Sequence, residues 1–147
     1  MSLEDRVLRG ELEGIRPAAG EVSRLFEAAR RRGEAAENAT NHPEIRLEQA
    51  YEAILNCALA ALRASELRPT NRPEKHLVTI DTLRETLGLE SVHVDYYQIL
   101  RTLRHRALYE GAHDVSPSQA EQAAAEARAL LVRAGRWLEA RGHISIP

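Results

Sequence analysis

Apolar residues along this chain recur three and four positions apart almost without a break, a spacing that fits packed α-helices and little else. No stretch alternates at period two convincingly enough to predict a β-strand. A first helix is expected over about 3–15, closed by a turn at Pro17 and Gly20. A second is expected from Glu21 into the 30s, with Val22, Leu25, Phe26 and Ala29 on one face and Gly33 loosening or ending it. The third follows Leu47, Tyr51, Ile54, Ala58, Ala61 and Leu62, the longest apolar stripe and the expected centre of the core. The fourth follows Leu77, Ile80, Leu83 and Leu87, with Gly88 as its stop.

Helix starts are punctuated. Thr40-Asn41-His42-Pro43-Glu44 and Thr70-Asn71-Arg72-Pro73-Glu74 share one pattern, with Asn as expected N-cap, Pro in the first turn and an acid after it. A fifth helix is expected over about 94–110. Ser116-Pro117-Ser118-Gln119 opens a sixth with a capping box. The seam of that last helix, Ala120, Ala124, Ala127, Leu131, Ala134 and Leu138, is small in its first half, which permits close helix approach. The expected fold is therefore all-α, with an up-and-down four-helix core over 43–141. The first two helices should form a hairpin packed on one side of it. Residues 1–40 are expected as an N-terminal helical extension and 41–147 as the main helical domain, in a single compact unit.

Composition narrows the function classes. At 147 residues the chain has room for one sizeable core. A net charge of -2 gives no global nucleic-acid signature, so any such contact must come from a local basic patch. Cys57 is the only cysteine, which excludes an internal disulfide, and its apolar neighbours read as core. No cleavable leader pattern or membrane-length apolar run is present, so a cytoplasmic protein with no membrane partner is expected. With no glycine-rich phosphate loop and no paired-carboxylate helix, neither cofactor nor metal is expected.

Chemistry concentrates in one stretch, Leu100-Arg101-Thr102-Leu103-Arg104-His105-Arg106-Ala107-Leu108-Tyr109-Glu110-Gly111. On a helical wheel Tyr96, Leu100, Leu103 and Ala107 share a face to be buried. Arg104 lies about 40° from Leu100, at the edge of that face. Its stem can pack on apolar groups while its head seeks an anion or a carbonyl. Arg101, His105 and Tyr109 follow at steps of four as a polar stripe. Arg104 and Tyr109 differ by about 140°, so one straight helix does not aim both at one ligand. A solvated arginine-rich helix face is the competing reading of the whole stretch. Arg104 as a cap on a neighbouring helix, and Tyr109 as a packed aromatic, compete residue by residue.

With these residues in view, the last four helices resemble a HEPN (higher eukaryotes and prokaryotes nucleotide-binding) domain over roughly 43–141. The resemblance rests on Ala50-Tyr51-Glu52-Ala53-Ile54, on Ala58-Leu59-Ala60-Ala61-Leu62-Arg63, and on Leu67-Arg68-Pro69 with His76. It is completed by Thr79 to Gly88 and by Arg101 to Gly111. It implies a HEPN-type bundle, a homodimer, and a groove that binds RNA or a nucleotide. In active members an Arg, a polar residue and a His cut RNA without metal and leave a 2′,3′-cyclic phosphate. Carried over by position, these are Arg104, His105 and Tyr109. A phenol titrates near 10 against about 6.5 for imidazole, so Tyr109 is a much poorer base than the motif His. His76, His105 or His113 could supply the imidazole instead.

The resemblance thus implies catalytic candidates Arg104, His105 and Tyr109, and ligand-binding candidates His76, Arg101, Arg104 and Arg106. The expected function is an RNA- or nucleotide-binding, toxin–antitoxin-like component, with a minimal nucleotidyltransferase antitoxin as one implied partner. A metal-independent endoribonuclease and a non-catalytic helical interaction module are the alternatives.

Overall fold

A computed structural model describes residues 1–109 and 115–145. The order is α1 (Leu3–Leu8), β1 (Leu12–Gly14), α2 (Glu21–Glu37), α3 (Pro43–Ala64) and β2 (Leu67–Pro69). It continues with α4 (Lys75–Asp81), α5 (Leu83–Thr86), α6 (Ser91–Tyr109) and α7 (Pro117–Ala140). The molecule is mostly helical, and among the described residues no helix is long and apolar enough to cross a membrane.

The central helix is α3. It packs most extensively along α2, then against α7, and its other side meets α6, α4 and α5. Its burial explains this place: Leu47, Ala50, Tyr51, Ile54, Cys57, Ala58 and Ala61 all lie in the main core. Alanines dominate α7's inner face, where Ala120, Ala123, Ala124 and Ala127 are buried. They let it approach α3 closely. The capping box at its start is formed as expected: Ser116 Oγ accepts from the Gln119 amide at 3.1 Å, and the Ser116 amide donates to Gln119 Oε1 at 2.9 Å. Burial pushes the Cys57 thiol up to about 12, so it is a core group and not a nucleophile.

The N-terminal region differs from the expected helical hairpin. The first helix ends at Leu8, and Gly10 adopts φ +74, a left-handed conformation that glycine takes without penalty. The chain then forms β1, antiparallel to β2, with Leu12 opposite Pro69 and Gly14 opposite Leu67. Three-residue strands carry too little alternation to be read from sequence. Leu12 is buried over Leu62 and Val78 in a second, smaller core.

Nor is α2 an appendage, since Val22, Phe26, Ala29 and Ala36 belong to the main core. It continues through Gly33 because the residue is needed for contact. A Cβ there would stand 2.5 Å from Leu131 Cδ1 of α7.

The fourth predicted helix is two helices. It breaks at buried Thr82, whose hydroxyl donates to the Thr79 carbonyl at 2.6 Å. Two predicted N-caps are also displaced. His42 precedes α3 and Glu74 precedes α4, neither with a side-chain cap bond. The Asn41 amide instead donates to the Ala35 carbonyl at the end of α2.

Candidate functional site

The inward face of α6 buries Val94, Tyr97 and Leu100, and Arg104 follows one turn after Leu100. That places its head between α6 and the first half of α3. Arg104 Nη2 lies 3.0 Å from Glu52 Oε1, and each side chain is only 22% exposed. The guanidinium carbon sits 5.2 Å from the centre of the Tyr51 ring, within cation–π range. Arg104 thus meets a carboxylate and an aromatic face, not the helix carbonyls that a capping arginine would seek.

Two polar atoms here are buried without a hydrogen-bond partner among the described residues, Arg104 Nε and Tyr51 Oη. Buried polar groups are nearly always paired, and each exception costs desolvation energy. Other buried arginines show what a satisfied one looks like. Arg63 donates from Nε to Glu21 Oε2 at 2.8 Å and from Nη1 to the Ile15 and Leu67 carbonyls, both at 2.9 Å. Arg46 donates to the Ala36 carbonyl at 2.8 Å and to Glu121 Oε2 at 2.8 Å. Among the described arginines, Arg104 alone keeps a buried side-chain donor without a partner, next to a phenol that burial raises to about 12. At neutral pH that phenol is a proton-bearing hydroxyl, able to donate or accept.

His76 stands in the first turn of α4, in the electrostatic field of this group. His76 is itself an exposed residue, yet the partial burial it has lowers its pKa most, and the Lys75 charge lowers it further. Glu52 pulls it up, while Arg104 and Arg101 push it down. The net shift is downward, so the imidazole is neutral and basic at neutral pH. A network fixes α4 against α6: Gln98 Nε2 donates to the Leu77 carbonyl at 2.9 Å and to Asp81 Oδ1 at 3.0 Å. Arg101 Nε donates to Gln98 Oε1 at 2.9 Å, so Arg101 is half-buried and engaged in this network.

The structure therefore brings Arg104, His76 and Arg101 to one region and adds Tyr51 and Glu52. It does not bring His105 and Tyr109 there. Their rings lie 4.8 Å apart on the outer side of α6, and Tyr109 is 71% exposed. Arg106 is likewise exposed. Glu110, Gly111 and His113 lie outside the described residues. The missed residues, Tyr51 and Glu52, had a signal: an adjacent phenol and acid opening an otherwise alanine-rich buried stripe.

His76 gives the site a pH signature. The folded chain resists a proton that the unfolded chain accepts at the usual imidazole value of 6.5. Stability should therefore rise with pH across the window between the lowered folded value and 6.5, and fall as pH drops through it. Urea midpoints measured across that window should slope less for His76→Gln than for wild type. Equal slopes would mean that His76 is not desolvated as described.

Chemically, the group offers a cation with a spare donor, a neutral hydroxyl and a neutral imidazole around one carboxylate. No family model, curated protein or solved structure matches this chain.

Proposed function

We propose that this chain is a HEPN-type protein that binds RNA or a nucleotide through an anion site centred on Arg104, as a toxin–antitoxin-like component. The observation that carries the reading is the half-buried Arg104 with its unpartnered Nε beside the unpartnered Tyr51 hydroxyl. Both atoms are closed to solvent in the free chain, so a phosphate oxygen would accept from them only once Glu52 gives way, and a guanidinium presents the fork geometry that suits phosphate. Glu52 holds the head in place until the anion competes for it. A minimal nucleotidyltransferase antitoxin is the partner that the HEPN resemblance suggests. Titration of the protein with single-stranded RNA tests the reading. Saturable binding that Arg104→Ala abolishes supports it, and undiminished binding by that variant refutes it.

A homodimer is part of this reading, supported by α6. Val92, Tyr96, Ile99 and Leu103 follow steps of four, three and four, the spacing of a coiled-coil seam. Val92 is 66% and Ile99 57% exposed, while Tyr96 and Leu103 beside them are partly covered by the core, so the outer edge of the stripe is open in one chain. Light scattering at tens of micromolar (about the range in which a modest dimer forms) should give twice the chain mass, and Ile99→Asp should return the monomer. A wild-type monomer there contradicts pairing along α6.

The neutral His76 favours a second reading, a metal-independent endoribonuclease. His76 would take the proton from a ribose 2′-hydroxyl as that oxygen attacks the adjacent phosphorus. Arg104 would stabilise the charge that builds on the phosphoryl oxygens, and the 5′-oxygen would leave taking its proton from solvent water. Under this reading RNA incubated with chelator yields 2′,3′-cyclic phosphate ends. His76→Ala and Arg104→Ala lose that activity, and Tyr109→Phe keeps it. Intact RNA after prolonged incubation rejects catalysis and leaves binding.

A further inference from the structure

Beside the Arg104 group, α3 presents a second surface. Glu52, Leu55, Asn56 and Leu59 fall at helical spacing along one face, and beyond Glu52 this face opens into a cleft of about 390 Å3. The far wall is the β2–α4 connection. It brings Arg68 from β2, and Lys75 and His76 from the start of α4. The cleft has the size and make-up of a small-molecule site, with an apolar floor and a few polar groups.

The polar groups divide into spent and unspent. Thr79 donates its hydroxyl to the Lys75 carbonyl at 2.7 Å, and Arg68 donates to Glu13 at 2.6 Å. The half-buried Asn56 amide has no side-chain hydrogen bond among the described residues, and the Lys75 ammonium has no ion pair among them. An amide with two donors and an acceptor, left open over two leucines, suits a flat heterocycle that carries donors and acceptors on its edge. His76 and Arg68 supply the planar side chains on which bases stack.

His76 also joins the two surfaces. It lines the cleft and lies in the field of Glu52, Arg104 and Arg101. From Glu52 to Asn56 is four residues, just over one helical turn and about 6 Å along the axis. A phosphate at Arg104 and a base over Leu55 and Leu59 would be about that far apart, as they are within one nucleotide.

We infer that this cleft is a nucleobase subsite, which takes one unstacked base of a single-stranded RNA whose phosphate lies at Arg104. The inference rests on the anion-site reading and adds what that site cannot provide alone, a preference for RNA that carries a base. It also explains why Lys75, the chain's only lysine, stands at the rim, where the flanking phosphate would pass.

The test compares a short single-stranded oligoribonucleotide with the same oligomer made abasic at its central position. Wild-type protein should bind the base-bearing oligomer roughly tenfold or more tightly, the scale on which one stacked base contributes. Asn56→Leu should bring that ratio close to one while leaving the abasic affinity in place. Arg104→Ala should weaken both oligomers alike. Equal wild-type affinity for the two oligomers overturns the base subsite and leaves the anion site standing. Binding of neither overturns both. The wild-type comparison needs no variant to fold, and thermal melting of Asn56→Leu shows whether its own result can be read. If it melts as wild type and keeps the full preference, Asn56 does not read the base and the subsite is overturned.

Discussion

Arg63→Ala should lose about 3–5 kcal/mol of stability, the scale for breaking a buried charge pair from one side. Arg63 is 5% exposed in its side chain and ties three segments together at the C-terminal end of α3. Its Nε holds Glu21 in the first turn of α2, and its Nη1 holds the Ile15 carbonyl just after β1 and the Leu67 carbonyl at the start of β2. Removal leaves two carbonyls and a carboxylate without their donor, and no single side chain can replace all three bonds. Urea denaturation should show the midpoint drop with an unchanged slope. The partner change, Glu21→Gln, should cost far less, because Glu21 is nearly a third exposed and water can serve its oxygens. If Arg63→Ala melts like wild type, the paired strands β1 and β2 are not fastened through this side chain.

Arg104→Lys should weaken RNA or nucleotide binding by roughly 1–3 kcal/mol, the range for charge-assisted hydrogen bonds, while the protein stays folded. Lysine keeps the charge and the apolar stem but has no fork and no donor at the Nε position. The position matters because Nε is the buried atom without a partner, so the loss concerns a directed bond more than charge. Arg106→Ala should have a smaller effect that fades with salt, since Arg106 is exposed and acts at a distance. Equal binding by wild type and Arg104→Lys would reduce Arg104 to a point charge. Unfolding of Arg104→Lys would make the Glu52 contact a structural ion pair and favour the non-catalytic interaction module.

Long helices were legible in the sequence for a physical reason. In α2, α3, α6 and α7 a full turn repeats several times, so three-and-four spacing accumulates beyond chance. Short elements carry no such sum. The pairing of Leu12 with Pro69 is a contact between distant segments, and nothing local in Leu12–Gly14 distinguishes a strand from the end of a helix. The break at Thr82 depends on a buried hydroxyl bond to Thr79, which the apolar spacing from Leu77 to Leu87 conceals.

The same division runs through the site. Arg104 could be placed at the edge of the buried face from its own helix alone. Its partners could not, because Tyr51 and Glu52 reach it from another helix, and Tyr51 reads as core in its own stripe. His105 and Tyr109 show the converse. Neighbours in the motif, they lie on a different side of α6 from Arg104, as the 100° step per residue requires.

The most direct test of an anion site at Arg104 watches its buried N–H. In a spectrum selective for arginine Nε–H groups, Arg104 can be assigned by the resonance lost in Arg104→Lys. Titration of wild-type protein with a short single-stranded RNA should shift that resonance saturably, because a phosphate oxygen becomes the acceptor that Nε lacks. The Arg63 Nε–H, already bonded to Glu21, should stay in place. An Arg104 resonance that does not move at saturating RNA, whether or not other resonances shift, would contradict the anion site.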